Sequence, residues 1–356
     1  MSISKLILRL AIGATLVYLL LIKQELPFEA VKVHFAELPV AIVALALGLY
    51  LIGQLVCSFR WASLSTLGGR PAGFMDAWPI YFTGMFFNMC LPTSIGGDVW
   101  RVVGLSRKTG SKSAAVASVF MDRNVGLAAL LVVGLVASVS SPQMSTVEAT
   151  FSFLKSPATP DGHVVVALWP LFLVLIAGFI AANAAIFSDS FCALVIAVTK
   201  SMWLGFIGRR IEKLHHSVQA YRQPLQRYAQ AFILSVLYQC TEIGVVIVLA
   251  YGMGIHASWF VFGSIVTFQA VASLLPITFN GVGVREAIFC AVLKGQLGNG
   301  AKDEAVALSL AYFGIVLMSS LVGGAVYLLS GIQRPTAAEE GTEAIASSVA
   351  GGHYAK

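Results

Sequence analysis

Charged side chains are scarce in this sequence, and their scarcity indicates the class of protein. Asp, Glu, Lys and Arg make up only 11% of the 356 residues, whereas hydrophobic residues make up 58%. Soluble domains carry about 25% charged residues, because charged side chains stay in water and cover the surface. The composition excludes an ordinary soluble domain and predicts a protein that crosses a membrane several times.

Sequence motifs typical of enzymes and of cofactor binding are also lacking. The five cysteines lie in apolar surroundings without C-x-x-C spacing, which argues against a disulfide framework and favours small buried hydrophobic residues. The sequence has no G-x4-G-K-[ST] phosphate loop and no convincing pairing of a nucleophile with a base. We therefore expect no catalytic residue, no metal ligand and no cofactor, and a protein that is not an enzyme.

The apolar segments are long enough for helices that cross the hydrocarbon core of a bilayer, which takes about 20 residues. Six segments are predicted as full spans, namely 6–22, 39–59, 114–139, 164–187, 229–251 and 304–330. A further segment, 190–207, fits either an interfacial helix or another span. Residues 333–356 are rich in Ala, Glu, Ser and Gly, which predicts a disordered cytoplasmic tail after a transmembrane domain of residues 1–332.

Basic residues gather between the apolar segments, and they indicate the orientation. A net charge of +6 would suit nucleic-acid binding, but the basic residues occupy short loops within 60–112 and 200–227. Arg60 is counted among these loop residues. The positive-inside rule places such loops in the cytoplasm. We therefore expect a multi-pass protein of the cytoplasmic (inner) membrane, with both termini in the cytoplasm and no nucleic-acid partner.

One motif, L-P-x4-G-x3-R, occurs twice, at 91–101 and at 275–285. Proline disfavours helical geometry at the residue before it, and glycine permits a tight return of the chain. Each copy therefore predicts a break between two helices. The residues of these breaks are Pro92, Gly96 and Gly97 in the first copy and Pro276, Gly281 and Gly283 in the second.

The predicted orientation gives the two copies opposite topologies. The zone 77–97 dips into the membrane from the cytoplasm, and the zone 257–298 dips in from outside. Two similar elements of opposite topology are the signature of an inverted repeat. The predicted fold class is an all-α polytopic membrane helix bundle with about six full spans and two re-entrant, broken-helix hairpins. Two kinked helices, whose arginines reach the interface or pair with nearby acids, are the alternative.

Ionisable residues within the apolar zones are the candidate binding residues. A charge at mid-bilayer costs about 2.5–3.5 kcal/mol on insertion scales, so such residues usually face a cavity or a partner. Helix starts and the planar guanidinium group both suit phosphate. We therefore expect Arg101 and Arg285 to bind the phosphate of a lipid headgroup. The residues expected to balance charge, bind a headgroup amine or pair locally are Asp98, Asp122, Arg123, Glu242 and Glu286.

These residues carry a family resemblance. LPTSIGGDVWRVVGLSRKTG, the following D-R-N and LLPITFNGVGVREA resemble the lysylphosphatidylglycerol synthase transmembrane-region family, whose members are also described as flippase-like. The resemblance covers nearly all of residues 1–332. Its most specific element comprises Leu275, Pro276, Gly281, Gly283, Arg285 and Glu286. The family commonly has Glu-Arg where this chain has Asp122-Arg123.

The resemblance implies lipid translocation across the cytoplasmic membrane. The segment after residue 332 is too short for the soluble synthase domain, so we expect a stand-alone membrane module that does not itself make the aminoacylated lipid. The headgroup of a membrane phospholipid or polyprenyl-lipid would slide through a polar cavity between the two hairpins while the acyl chains stay in the bilayer. The mixed charges fit anionic, zwitterionic and aminoacylated headgroups alike.

Two other functions remain as alternatives. The protein could be a non-catalytic membrane partner of a separate lipid synthase or glycosyltransferase. It could also be a membrane enzyme that acts on a polyprenyl- or phospho-lipid, although no catalytic arrangement stands out in the sequence.

Overall fold

Helices dominate the structure, a computed structural model that describes residues 38–67, 70–90, 96–140, 146–150, 163–190, 193–194, 196–197, 224–274, 283–297 and 302–330. In chain order the elements are α1 (Val40–Leu64), β1 (Thr66–Leu67), β2 (Arg70–Pro71), α2 (Phe74–Cys90), α3 (Gly96–Thr109), α4 (Lys112–Ser140), β3 (Thr146–Thr150), β4 (His163–Ala167), α5 (Leu168–Phe187), α6 (Leu225–Gly252), α7 (Trp259–Ala272), α8 (Val284–Leu297) and α9 (Lys302–Leu329). The strands form two short antiparallel pairs, β1–β2 and β3–β4.

Four helices, α1, α4, α6 and α9, are long and apolar enough to cross a membrane. They contain 25 to 29 residues, which corresponds to about 38–44 Å at 1.5 Å per residue. They occupy the predicted spans 39–59, 114–139, 229–251 and 304–330. The prediction of a multispanning membrane helix bundle is confirmed for this part of the chain.

The predicted span 164–187 needs a correction at its start. Residues His163–Ala167 form strand β4, which pairs with β3, and the apolar helix α5 begins only at Leu168. The run of three valines in β4 explains the difference, because β-branched side chains favour strands. The predicted span 6–22, the tail 333–356 and most of segment 190–207 lie outside the described residues.

Helices α2 and α3 form a tight antiparallel hairpin. At one end the Lys108 Nζ donates to Asp76 Oδ1 over 2.6 Å. Near the other end the backbone N–H of Gly97 donates to Asn88 Oδ1 over 2.7 Å. Between these contacts Gly84 faces Gly97 so closely that a Cβ on Gly97 would clash with the Gly84 carbonyl oxygen. The hairpin thus depends on backbone-to-backbone approach that only glycine permits.

Local sequence signals set the helix ends that carry the later sites. Helix α3 ends before Gly110, whose φ of +69° is readily adopted by glycine. The Ser111 Oγ then accepts the N–H of Ala114 over 3.3 Å and caps α4. Helix α8 starts after Gly283, where φ is +91°. The backbone N–H of Gly283 donates to the Glu286 carboxylate in the manner of a capping box.

The order of elements repeats, with α1–α4 corresponding to α6–α9. Helices α1 and α6 lie antiparallel, since Gly252 faces Ile42 while Gly53 faces Thr241. The first helix of each hairpin packs on the last helix of the other half, α2 on α9 and α7 on α4. Reciprocal packing of antiparallel counterparts is the arrangement expected of two inverted repeats.

The two largest apolar clusters of the described residues pack the bundle. The larger lies among α1, α6, α7, α8 and α9 and includes Leu249, Phe262 and Phe289, all fully buried. The smaller lies among α1, α2, α3 and α4 around Trp61 and Trp100. The charged residues described next lie beside these clusters, so they are held in place by packed neighbours on helices rather than by loops.

Candidate functional site

A buried ion-pair network, named here the inner network, joins four helices of the bundle. The Arg60 Nε of α1 donates to Asp122 Oδ1 of α4 over 2.8 Å, and the Arg101 Nη2 of α3 donates to Asp122 Oδ2 over 2.5 Å. The Arg60 Nη1 also donates to Ser235 Oγ of α6 over 2.9 Å. The side chains of Arg60, Arg101 and Asp122 are all at least nine-tenths buried. Asp122 therefore bridges two arginines from different helices.

Asp98 extends the inner network to a more accessible arginine. It accepts from Arg101 Nη1 over 3.3 Å and from Arg123 Nε and Nη2 over 2.9 and 3.0 Å. The side chain of Asp98 is 19% exposed and that of Arg123 is 53% exposed, so this edge of the network can be reached from outside the protein. The forked contact of Arg123 is the geometry that guanidinium groups also use to bind phosphate.

The Arg101 guanidinium is held by aromatic rings as well as by acids. Its Cζ lies 4.5 Å from the ring centroid of Trp61 and 4.7 Å from that of Tyr81, a range in which the ring quadrupole attracts a cation. The buried Nε of Arg101 has no hydrogen-bond partner among the described residues. An unpaired buried donor is costly, so this atom marks a place where a bound oxygen would be stabilised.

The inner network carries more positive than negative charge. Arg60, Arg101 and Arg123 supply three guanidinium groups, whereas Asp98 and Asp122 supply two carboxylates. Moving a charge from water into a protein interior without a counter-charge costs on the order of several kcal/mol, even after the surrounding protein relaxes. The network therefore has one guanidinium group in excess, and its edge at Asp98 and Arg123 is partly exposed.

The second copy of the motif forms a smaller polar group, named here the outer group. The Arg285 Nη2 of α8 donates to Glu286 Oε1 over 3.2 Å, and both side chains contact the Ser309 hydroxyl of α9. The Arg285 Cζ lies 4.5 Å from the ring centroid of Phe313. Glu286 also caps its own helix through Gly283, so part of its role is structural. The two repeated arginines thus share carboxylate pairing and aromatic stacking.

Glu242 lies in a third polar position, at the interface of α1, α6 and α9. The Tyr312 hydroxyl of α9 donates to Glu242 Oε2, and Tyr238 is a second hydroxyl partner on α6 itself. Tyr50 of α1 belongs to the same buried group. Asp122 and Tyr312 are each the eleventh residue of their helices, α4 and α9. Asp122 of the inner network therefore occupies the position in its repeat that Tyr312 occupies in the other.

A stripe of polar side chains on α6 connects the inner network with Glu242. Ser235, Gln239 and Glu242 are all buried and lie four and three residues apart, which places them on one face of the helix. Ser235 contacts Arg60 of the inner network, and Glu242 lies two turns further along. Opposite this face, α1 buries Gln54 and Ser58. The interior of the bundle is polar along this line, unlike an ordinary membrane helix interface.

The structure brings together most residues singled out in the sequence. Asp98, Arg101, Asp122 and Arg123 share the inner network, Arg285 and Glu286 share the outer group, and Glu242 lies apart from both. Asp122 and Arg123 do not neutralise each other, because they bond to different partners. Pro92, Pro276 and Gly281 lie outside the described residues. Gly96 and Gly97 start α3, and Gly283 precedes α8. No metal-binding group of three or more His, Cys, Asp or Glu occurs within the described ranges.

Arg60 corrects the sequence analysis, which counts it as a cytoplasmic loop residue. Helix α1 continues to Leu64, and Arg60 is 5% exposed and bonded to Asp122. The sequence does carry a signal for this, because no glycine or proline stops the helix before Gly68. Tyr312 and Ser309 are also absent from the sequence-based set, since nothing in the sequence alone places them against Glu242 or Arg285.

The comparison with known families agrees with this picture. Residues 6–323 match the family model described as the lysylphosphatidylglycerol synthase TM region. Neither the curated proteins nor the solved structures contain a significant match. The family match includes both copies of the motif and all four long apolar helices up to Gly323. This multi-pass membrane protein therefore belongs to the lysylphosphatidylglycerol synthase TM-region family.

Proposed function

We propose that the protein translocates a lipid with a phosphate-bearing headgroup between the leaflets of the cytoplasmic membrane, as a flippase or scramblase-like transporter. The observation that carries this proposal is the inner network, in which three guanidinium groups face two carboxylates inside a membrane bundle. An anionic phosphate is the ligand that such an excess of guanidinium groups suits best.

The partly exposed edge of the inner network is where the headgroup binds. Phosphate oxygens compete with the Asp98 carboxylate for Arg123 and for the outer side of Arg101. The deeper pair, Arg60 and Asp122, keeps its mutual contact and holds α1 against α4. Binding therefore exchanges one anion for another around arginines that are already in position, which lowers the cost of ordering them.

The two hairpins shorten the route that the headgroup takes through the bundle. Helices α3, α7 and α8 contain 14 residues each and α2 contains 17, which is about 21–26 Å and shorter than the roughly 30 Å core. We propose that both hairpins are re-entrant, the first open to the cytoplasm and the second to the other side. The headgroup then passes between their tips along the polar face of α6.

The orientation follows from the basic residues that remain outside the spans. Arg107 and Lys108 end α3, and Lys112 starts α4. Arg227 lies in the first turn of α6. By the positive-inside rule we propose that these helix ends lie in the cytoplasm, and we propose the same side for both termini.

Reconstituted vesicles test the proposal directly. The purified protein should accelerate the exchange of headgroup-labelled fluorescent phospholipids between leaflets, measured as the fraction that an impermeant quencher bleaches over time. Arg101→Gln should reduce the rate by about tenfold or more, since a charge-assisted phosphate contact contributes roughly 1.5–3 kcal/mol. Lys108→Gln is the matched control, because Lys108 lies on the same helix in an exposed ion pair and should stay within about twofold of wild type.

The assay also distinguishes the alternatives. Exchange no faster than in protein-free vesicles, for anionic, zwitterionic and polyprenyl-phosphate lipids alike, would reject the transporter. Copurification of an intact lipid synthase or glycosyltransferase together with that result would favour the accessory role. Arg101→Lys should recover only part of the rate, because an ammonium lacks the planar fork that binds two phosphate oxygens.

A further inference from the structure

Glu242 is a membrane-embedded acid that headgroup phosphate binding does not use. It lies ten residues before the end of α6, and the two tyrosines nearest to it on other helices lie ten residues after the starts of α1 and α9. At 1.5 Å per residue each is about 15 Å from the end of its helix. Tyr50, Glu242 and Tyr312 therefore form one buried layer about 15 Å in from these helix ends, within the half of the bundle that carries the outer group.

The hydrogen-bond partners of Glu242 within the described residues are hydroxyl groups rather than cations. Tyr312 donates from α9 and Tyr238 contacts it from α6. From α1 the nearby titratable groups are Tyr50 and Cys57, and neither a phenol nor a thiol supplies a positive charge.

The charged groups on the other packed helices are already engaged elsewhere. The Arg285 guanidinium of α8 contacts Glu286 and Ser309, and the Asp122 carboxylate of α4 contacts Arg60 and Arg101. Helix α7 contains no titratable residue. An ionised Glu242 would therefore be a buried anion whose described partners include no cation.

Glu242 is buried without a cation among its described partners, and this determines the protonation state of its carboxyl group in the packed structure. A lone carboxylate loses its hydration when it is buried, and neutral hydroxyl donors replace only part of that loss. The neutral acid avoids this cost and still accepts a hydrogen bond from Tyr312 at its carbonyl oxygen. The packed arrangement of α1, α6 and α9 thus favours a protonated Glu242.

We propose that Glu242 is a proton-binding site that couples proton exchange to headgroup movement, an inference that rests on the proposed function. The packed state holds the proton on the Glu242 carboxyl. When α6 separates from α9 and water enters, the O–H bond of the acid breaks and the proton passes to water, which leaves a carboxylate; repacking takes a proton back from water. Because the proton binds one state more tightly than the other, a proton gradient shifts their populations.

The polar stripe on α6 supplies the connection to the headgroup. Ser235 contacts Arg60, and Glu242 is seven residues away on the same face. A headgroup that moves from the inner network along this face must separate the same helices that enclose Glu242. Opening for the lipid and release of the proton are therefore one motion of α6 against α1 and α9.

Infrared spectroscopy of the purified full-length chain tests the proton site without any transport assay. At neutral pH the wild-type protein should show a protonated-carboxyl C=O band that Glu242→Gln removes. Tyr312→Phe should keep the band and move it to higher wavenumber, because the carbonyl loses a hydrogen bond. Glu304→Gln, the same change in the first turn of α9, should leave the band intact. A wild-type spectrum without a band that depends on Glu242 would overturn the site.

Vesicles with opposite pH gradients test the coupling. A gradient of one pH unit should make wild-type exchange differ between the two polarities by up to about tenfold, whereas Glu242→Gln should exchange equally fast in both. Equal wild-type rates in both polarities would overturn the coupling and leave the transporter standing. No exchange under any condition would overturn the transporter and the coupling together, and the infrared band would still decide whether Glu242 holds a proton.

Discussion

Arg60 is the residue on which the inner network depends most. It reaches from α1 to Asp122 on α4 and to Ser235 on α6, so one side chain links three long helices. Its neighbour Trp61 belongs to the smaller apolar cluster. Buried ion pairs of this kind contribute little net stability relative to apolar packing. Removal of one partner is nevertheless destabilising, because the other charge stays buried with less compensation.

Arg60→Gln should therefore destabilise the protein by about 1.5–3 kcal/mol, because Asp122 loses a charge-assisted hydrogen bond while Arg101 remains its charged partner in the buried site. Reversible unfolding in mixed micelles, followed by tryptophan fluorescence, measures the change in the free energy of unfolding. Lys112→Gln is the control, since Lys112 is exposed at the start of α4 and the same loss of charge should change stability by less than about 0.5 kcal/mol. An unchanged midpoint for Arg60→Gln would show that the pair contributes nothing to the fold.

The α2–α3 hairpin is the element whose geometry is least tolerant of change. Gly84 and Gly97 bring the two backbones together, and the Asn88 amide closes the contact by accepting the N–H of Gly97. Arg101 projects from this same hairpin, and its Cγ lies 3.2 Å from where a Cβ on Gly84 would stand. The close approach therefore positions the arginine as well as the helices.

Gly97→Val should push the hairpin apart and reduce lipid exchange even though no charged residue changes. An added Cβ there would clash with the Gly84 carbonyl oxygen and lie 2.6 Å from the Asn88 Cγ, and overpacking of this kind costs about 1–3 kcal/mol. The expected result is lower stability together with a loss of exchange at least as large as that of Arg101→Gln. Gly48→Val, where nothing lies within 4 Å of an added Cβ, is the control and should keep wild-type exchange.

The hairpins also show which features of a helix can be predicted from the sequence. The repeated motif predicts helix starts near Asp98 and Val282, and α3 and α8 begin at Gly96 and Val284. Proline and glycine give those boundaries because their backbone preferences are local. The strand β4 is missed, because a short run of valines fits a membrane span and a strand equally well without its partner β3.

Partners across the bundle are harder to predict than boundaries. Asp122 and Glu242 are visible in the sequence as charges within apolar runs, but their contacts with Arg60 and Tyr312 join residues 62 and 70 positions apart. No local preference encodes such a pairing. Arg60 is assigned to a loop for the same reason: its charge suggests a span end, whereas its partner on α4 allows it to stay inside.

At the scale of the whole molecule, the antiparallel relation of α1 and α6 has consequences for both sites. The inner network lies where α1 ends and α4 begins, and the Glu242 layer lies where α6 ends and α9 begins. The proposed inverted topology places the corresponding arginines, Arg101 and Arg285, towards opposite sides of the membrane. The two halves differ in charge, with an excess arginine in the first and, in the second, the Arg285–Glu286 pair and the neutral Glu242, so the two halves are alike in packing but not in chemistry.

This relation predicts which helix ends face the same side. In a chain freed of its native cysteines, Ser113→Cys and Gln226→Cys should react with a membrane-impermeant maleimide from the cytoplasmic side, because they start α4 and α6. Ser140→Cys and His256→Cys should react only from the other side, because Ser140 ends α4 and His256 follows the end of α6. All four positions are exposed, so labelling reports the side rather than burial. Labelling of Ser113→Cys and His256→Cys from one side would mean that the halves are not inverted, and the route between two opposed hairpins would lose its basis.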